Sequence, residues 1–295
     1  MLSLSAGGDI SDLDKWRLVS DERRSARDLG LLFPELAERG FLRDPVQISV
    51  YPATIGSFAD VLFIDTYMRT ANLARALAIA ASADRPVLLC GQPLALAELL
   101  FEHLRAERPM PSKVLILIGG YACPLGLERR IRQRLSDVGV EHDVIHGYGM
   151  AEVAPACLVG RRGSSGKIHY RLANRQVAVE IHGGRLFLRR RSDGQPAMDS
   201  GDYARVAPAS DWSGPGDAWH IEPSERRIAP LVRMALDSWT AEDWDRRTGY
   251  VVAREDGGVW IQLRRGALPN SADELSFGRF EEQHGGSLLD KPRWG

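Results

Sequence analysis

The residue types best suited to chemistry lie together in His146-Gly147-Tyr148-Gly149-Met150-Ala151-Glu152, directly after the apolar pair Val144-Ile145. An aromatic ring offers a flat π face to a planar group. Glycine lets the main chain approach a ligand closely. A carboxylate binds a hard cation. At the mouth of a strand, that combination suits a nucleotide. Each residue also has a plainer reading: Tyr148 as packing over a sheet edge, and Glu152 as an acid at a helix start, where the dipole favours it.

A site of this kind needs a sheet edge, and the middle of the sequence predicts one. Val87-Leu88-Leu89-Cys90, Val114-Leu115-Ile116-Leu117-Ile118 and Asp143-Val144-Ile145-His146 read as short strands. The second is apolar throughout, as a strand covered on both faces must be. Between them, Leu94 to Ala106 places Leu96, Leu99, Leu100 and His103 at helical spacing. Leu127, Ile131, Leu135 and Val138 stripe a further helix that Gly139 ends. This alternation with short links predicts a parallel sheet with right-handed crossovers. Each strand runs into a glycine loop: Gly91-Gln92-Pro93, Gly119-Gly120-Tyr121 and Gly147-Tyr148-Gly149. In a parallel sheet such loops share the carboxyl edge, where ligands bind; tight βα turns alone would also call for glycine.

Upstream, Ser20-Asp21-Glu22 reads as a helix start. Ile48-Ser49-Val50-Tyr51 reads as a strand stopped by Pro52, and Ser57 to Ala83 as largely helical. Downstream, Gly160 to Gly166 reads as a polar loop. Gln176 to Glu180 and Arg185 to Arg189 read as a hairpin through His182-Gly183-Gly184. Ser210 to Gly216 reads as a surface loop, and Thr248 to Leu263 as a second hairpin turning at Glu255-Asp256-Gly257-Gly258. The expected architecture is α/β: a mainly parallel sheet with flanking helices, plus a β-rich C-terminal portion. Its expected divisions are an α/β nucleotide-binding core over 1–170, a β-rich subdomain over 171–265 and a tail over 266–295.

The bulk numbers remove several classes. With 295 residues the chain can bury a full core. A formal net charge of −1, from 38 basic and 39 acidic residues, leaves no field of one sign to draw nucleic acid or a membrane surface. The pairs Arg129-Arg130 and Arg161-Arg162 and the run Arg189-Arg190-Arg191 are short and read as solvated faces. Three cysteines, Cys90, Cys123 and Cys157, argue against a disulfide scaffold and fit a reducing cytoplasm. Cys123 reads as a small core hydrophobe. No apolar run approaches the roughly 20 residues of a membrane span, and the N-terminus lacks the basic and apolar regions of a signal peptide.

Between about Arg85 and Arg205 the chain resembles the adenylate-forming superfamily of acyl-CoA synthetases, non-ribosomal peptide adenylation domains and luciferases. PVLLCGQPLALAELLFEHL from Pro86 resembles that family's strand, loop proline and Leu-rich helix. VLILIGGYACPLGLERRIRQRL from Val114 resembles its strand, Gly-Gly loop and helix, and VIHGYGMAE from Val144 its Tyr-Gly-x-Thr-Glu signature. Asp199-Ser200-Gly201-Asp202-Tyr203-Ala204-Arg205 resembles its Thr-Gly-Asp motif. The resemblance implies ATP and Mg²⁺ as cofactors. Gly119, Gly120 and Tyr121 would line the adenine pocket. Tyr148, flanked by Gly147, Gly149 and Met150, would stack on the base. Glu152 would help hold Mg²⁺, and Asp202 would accept from the ribose hydroxyls. As a turn residue, Asp202 has a plainer reading as well.

The resemblance implies ATP-dependent activation of a carboxylic acid as an acyl-adenylate, then transfer to a thiol such as CoA or a carrier protein. The sequence departs from that pattern at several places. The phosphate loop is matched only by Ser3, Ser5, Gly7 and Gly8, with Asp9 following and no lysine close behind. Ala151 stands at the threonine position. Lys291 lacks the context of the family's catalytic lysine. Arg247-Thr248-Gly249-Tyr250 is a second candidate for the Thr-Gly-Asp motif, with tyrosine for aspartate. Both ends are short against the family, which would expose apolar sheet and invite a homodimer or a partner subunit. The alternative expectation is therefore a catalytically degenerate homologue serving as a binding or scaffold subunit of a larger synthetase. A third is an unrelated α/β binder that shares only the glycine loops.

Overall fold

The computed structural model describes residues 2–3, 17–18, 25–51, 58–120, 123, 125–150, 153–192, 194, 196–208, 217–222, 249–253 and 259–263. The parallel unit follows the expected alternation. Its strands are β3 (Val46–Val50), β4 (Leu62–Asp65), β5 (Val87–Gly91), β6 (Lys113–Ile118) and β7 (Glu141–Met150). Its helices are α1 (Arg27–Leu32), α2 (Pro34–Glu38), α3 (Thr70–Ser82), α4 (Pro93–Arg105) and α5 (Leu125–Asp137). The antiparallel strands are β8 (Ala154–Arg162), β9 (Ile168–Leu172), β10 (Val177–His182), β11 (Arg185–Arg190), β12 (Met198–Val206) and β13 (Trp219–Glu222). Two small ribbons stand apart in the pairing: β1 (Leu2–Ser3) with β2 (Arg17–Leu18), and β14 (Gly249–Ala253) with β15 (Val259–Leu263).

The parallel and β-rich portions form one mixed sheet of 11 strands in the order β10-β11-β12-β13-β9-β8-β7-β6-β5-β3-β4. Pairing is parallel from β4 to β7 and antiparallel from β7 to β10. Position 170, the expected limit of the first portion, falls inside β9.

Side-chain alternation divides the parallel strands between two helical layers. Val46, Ile48 and Val50, Val87 and Leu89, Val114, Ile116 and Ile118, and Val144 join one core with Leu73, Leu77, Leu96, Leu100, Leu127, Ile131 and Leu135 of α3 to α5. The intervening Leu88, Leu115 and Ile145 join Leu29, Phe33, Leu36 and Phe41 on the opposite face. Each such fully buried side chain contributes about 1.5–3 kcal/mol. Pro93 begins α4, where its missing N–H costs nothing. Gly139, at φ +73°, ends α5 as its position in the sequence predicts. Cys123 lies in the first core, as expected, and all three cysteines are buried and outside any disulfide. Among the described residues no helix is long and apolar enough to cross a membrane.

Three expectations are corrected. Ser57 to Ala83 is not largely helical: Leu62–Asp65 is a strand paired in parallel with β3, and the helix begins at Thr70. The β3 backbone gives that short apolar run partners that local pattern does not reveal. Gly147-Tyr148-Gly149 is not a loop but the end of the ten-residue strand β7, paired with β8. Gly160 to Arg162 belongs to β8, and the turn is confined to Gly163–Lys167, closed by the Gly163 N–H donating to Lys167 O at 2.8 Å. The hairpin through Gly183-Gly184 is as expected, both glycines at positive φ. The strands of the second hairpin also pair as expected. The Ser20 helix start, the Ser210 loop, the turn at 255–258 and the tail over 266–295 lie outside the described residues.

The antiparallel half curls. β7 and β12 are four steps apart in the sheet, about 19 Å if it were flat. Yet Tyr148 of β7 donates a hydrogen bond to Asp202 of β12 at 2.6 Å. Arg190 of β11 likewise donates to the Val153 carbonyl beside β8. The curl encloses a third core of Val153, Ala154, Cys157, Leu158, Tyr170, Val177, Leu186, Leu188 and Ala204.

The curl requires close backbone approach at Gly160, where a Cβ would stand 2.5 Å from His169 O and 2.9 Å from Tyr170 Cα. Gly160→Ala is expected to destabilise the fold by roughly 1–3 kcal/mol through overpacking. A Cβ at Gly139 meets nothing within 4 Å, so Gly139→Ala costs about 1 kcal/mol from its left-handed backbone alone. Urea midpoints of the two variants measure the difference; a Gly160→Ala midpoint equal to wild type would refute the packing argument.

Candidate functional site

The glycine-ended strands converge as expected. In register across the sheet, Gly91 pairs with Ile118, and Ile118 with His146. The Gly119 N–H donates to Gly91 O at 3.1 Å, and a Cβ on Gly119 would lie 3.5 Å from Gly147 O. Gly120, at φ +94°, has no room for a side chain: a Cβ there would meet Tyr51 Oη at 2.5 Å. Gly119, Gly120 and Gly147 thus form one closely packed backbone surface at the carboxyl edge. Gly149 and Met150 continue it along β7, which shifts register against β8 between Tyr148 and Met150.

Tyr148 and Asp202, singled out separately in the sequence, meet at this edge. Asp202 is 1% exposed, and its carboxylate accepts the Tyr148 hydroxyl at 2.6 Å. The irregular stretch of β12 before it, where pairing with β11 shifts register, is fixed by local side chains. Asp199 Oδ1 accepts the Gly201 N–H at 2.8 Å, and Ser200 Oγ accepts the Asp202 N–H at 3.1 Å. Arg185 holds Asp199 through Nε and Nη2 at 3.0 and 2.7 Å. The Tyr148 ring is half-buried and meets Tyr170 edge-on, centroids 5.9 Å apart at 63°.

Beneath this pair lies a buried ionic cluster that sequence reasoning missed. Glu128, in the first turn of α5, is 3% exposed. Its Oε2 accepts Arg162 Nε at 2.7 Å and lies 2.9 Å from His146 Nε2; its Oε1 accepts Arg132 Nε at 3.1 Å. Arg162 further donates to Gly166 O at 2.6 Å and Cys123 O at 2.5 Å, tying the β8–β9 turn to the chain just beyond β6. Arg161 donates to Asp143 at 2.8 Å and pairs with Glu35. Arg161-Arg162 is therefore not a solvated face. Its partners are distant in sequence, so no local charge pattern signals them.

Burial raises the Glu128 pKa, but hydrogen bonds and charge from His146 and Arg162 outweigh it and hold the carboxyl well below its usual range. Burial lowers the His146 pKa, and Arg162 and Arg132 add to this, against the opposing pull of Glu128. Burial outweighs that pull, so the His146 pKa lies below its ordinary value while its Nε2 faces Glu128. Burial also pushes the Tyr170 hydroxyl up. The arrangement presents a fixed phenol, a buried carboxylate and a row of backbone groups, a set that can hold a planar polar ligand by stacking and hydrogen bonds.

Tyr121, Glu152, Ser5, Gly7 and Gly8 lie outside the described residues, and Ser3 is described only as a strand residue paired with Arg17. Among the described residues no group of three or more His, Cys, Asp or Glu side chains is arranged to hold a metal ion.

The cluster gives the fold a pH dependence. His146 and Glu128 both have depressed folded pKa values, so both contributions are present above the unfolded values and are lost as pH falls. Stability is expected to decline below about pH 6.5 and again below about pH 4.3. His146→Gln keeps a donor to Glu128 and flattens the first decline. His103, also held low by burial, sustains the remainder of it. Urea midpoints from about pH 4 to 8 test this; an unchanged slope in the variant would show that His146 is not the titrating group. A double-mutant cycle of Tyr148→Phe and Asp202→Asn is expected to give a coupling of about 1–3 kcal/mol.

No family model and no curated protein matches this sequence. Solved structures similar to the chain include a variant of E. coli MenE with bound OSB-AMS, at 13% identity and TM-score 0.45, covering 80% of this chain and 54% of that one. The anthranilate CoA ligase AuaEII in complex with anthranoyl-AMP is similar at 13% identity and TM-score 0.48, covering 85% and 56%. Wild-type E. coli MenE with a bound m-phenylether-linked analogue of OSB-AMS is similar at 13% identity and TM-score 0.42, covering 86% and 57%. The chain spans a little over half the length of these structures.

Proposed function

We propose that this chain activates a carboxylic acid with ATP, forming an acyl-adenylate and releasing pyrophosphate, with transfer to a thiol such as CoA or a carrier protein as the second step. The observation that supports this reading is the meeting of Tyr148 with Asp202 at 2.6 Å beside the Gly119–Gly147 surface. These residues carry the motif order of an adenylate site from separate parts of the sequence. In this reading the half-buried Tyr148 ring stacks on adenine, its hydroxyl tethered so that little freedom is lost on binding. Asp202 takes the ribose hydroxyls, a carboxylate being an acceptor with about four lone-pair sites. The Gly119-Gly120 backbone borders the base. An oxygen of the acid attacks the α-phosphorus and pyrophosphate leaves. Mg²⁺ neutralises charge developing on phosphate when bound, and Glu152 is the residue that would hold it.

A second reading is a binding or scaffold subunit without turnover, in which the Tyr148–Asp202 bond serves the fold. The burial of Asp202 favours it, as does Ala151, which lacks the hydroxyl of the family's threonine.

AMP binding and ATP–pyrophosphate exchange with a panel of acids separate the two. AMP is expected to bind wild type, and Tyr148→Ala to weaken it by about 1–3 kcal/mol, the worth of one stacked base. Exchange with at least one acid supports catalysis. Binding without exchange supports the second reading, and the absence of both rejects the nucleotide site altogether.

A further inference from the structure

We infer that Arg162 is a positioning residue of the candidate site: one guanidinium fixes the segment joining β6 to α5, and with it the Gly119-Gly120 backbone on which a ligand rests. That the ligand is a nucleotide rests on the acid-activating reading. The segment leaves the sheet beyond Ile118 and enters α5 at Leu125. At its start the Gly119 N–H is held by Gly91 O at 3.1 Å. Toward its end Arg162 Nη2 donates to Cys123 O at 2.5 Å. The same side chain sends Nη1 to Gly166 O at 2.6 Å and Nε to Glu128 Oε2 at 2.7 Å. Donors on one rigid plane thus meet acceptors from the joining segment, the β8–β9 turn and the first turn of α5. A guanidinium holds its donors in a fixed fork, so the position of each acceptor constrains the other two. The side chain is 11% exposed, where charge-assisted bonds meet little competition from water.

Packing agrees with the hydrogen bonds. A Cβ on Gly166 would lie 3.5 Å from Leu125 Cδ2, so the β8–β9 turn rests directly against the start of α5. Glu128 carries the constraint to β7, its Oε2 lying 2.9 Å from His146 Nε2, two residues before Tyr148. Arg162 is therefore tied to both sides of the candidate site, the Gly119-Gly120 backbone on one and the Tyr148 ring on the other. The adjacent Arg161 supplies an internal contrast. Alternation along β8 turns it to the opposite face. There it pairs with Asp143 and Glu35 and lies over the Phe33 ring, 5.0 Å from its centroid. None of those partners belongs to the segment between β6 and α5.

The test compares Arg162→Lys, which keeps a positive charge beside Glu128 and loses the fork, with Arg161→Lys. Two readouts are taken on each full chain: AMP affinity by calorimetry, and alkylation of Cys123 by iodoacetamide, resolved by peptide mass. Buried Cys90 in β5 gauges unfolding of the whole chain in the same reaction. Arg162→Lys is expected to speed labelling of Cys123 relative to Cys90, and to weaken AMP binding, each by at least about tenfold. Arg161→Lys is expected to lower the urea midpoint while changing neither readout. Unchanged Cys123 labelling in Arg162→Lys, AMP affinity equal to wild type, or the same losses in Arg161→Lys would each overturn the inference. So would equal acceleration at Cys90 and Cys123, which would show that Arg162 supports the whole fold. A wild type that binds no AMP rejects the nucleotide reading, and the labelling contrast then decides alone whether Arg162 holds the segment.

Discussion

β7 hydrogen-bonds to a parallel neighbour along one side and to an antiparallel neighbour along the other, and the two halves of the molecule are set by that double pairing. Toward β6 it fixes the level of the glycine ends. Toward β8 it starts the curl that brings β12 round. Its side chains alternate between the two faces, so Val144, His146 and Tyr148 share one and Ile145 and Gly147 the other. A slip of one residue would turn His146 away from Glu128 and Tyr148 away from Asp202 together. The core, the ionic cluster and the candidate site therefore specify the same register.

The parallel unit was legible because its strands are covered on both faces and its helices carry clean stripes. No polar interruption blurs Val114 to Ile118, and Leu127, Ile131 and Leu135 lie on one side of α5. The continuation of β7 through Gly147-Tyr148-Gly149 was not legible. Glycines there look like a turn, and only the partner strand supplies the backbone bonds that extend them. Gly160 misled in the same way: it reads as loop, but it is required by main chain packed too close for a Cβ. Within the site, Tyr148 and Asp202 were recognisable by type and order, whereas their contact depends on sheet curvature that no local pattern encodes. Glu128 looked like one more charged position on an amphipathic helix.

The buried charges are arranged more for position than for strength. Asp143 takes Arg39, Arg161 and Arg132 at 3.0, 2.8 and 3.5 Å, and Glu128 takes Arg162, Arg132 and His146. Desolvation cancels much of the attraction in such groups, so well-packed apolar side chains of similar volume often do as well. Apolar groups, however, would not tie α2, α5, β7 and β8 in a single relation. Losing one partner strands the remainder in a poorly solvated place, so the cluster tolerates its own register and few others.

The contact between Tyr148 and Asp202 also bears on the order of assembly. It joins residues 54 apart in sequence, while the β8–β9 and β10–β11 hairpins close over a few residues each. Short closures sacrifice less chain entropy and come early. The phenol and the carboxylate meet only after those hairpins have formed and the strands between them have docked. Such a late bond lies on the native side of the folding barrier. It acts as a latch, governing how long the curled half stays shut more than how quickly it first closes.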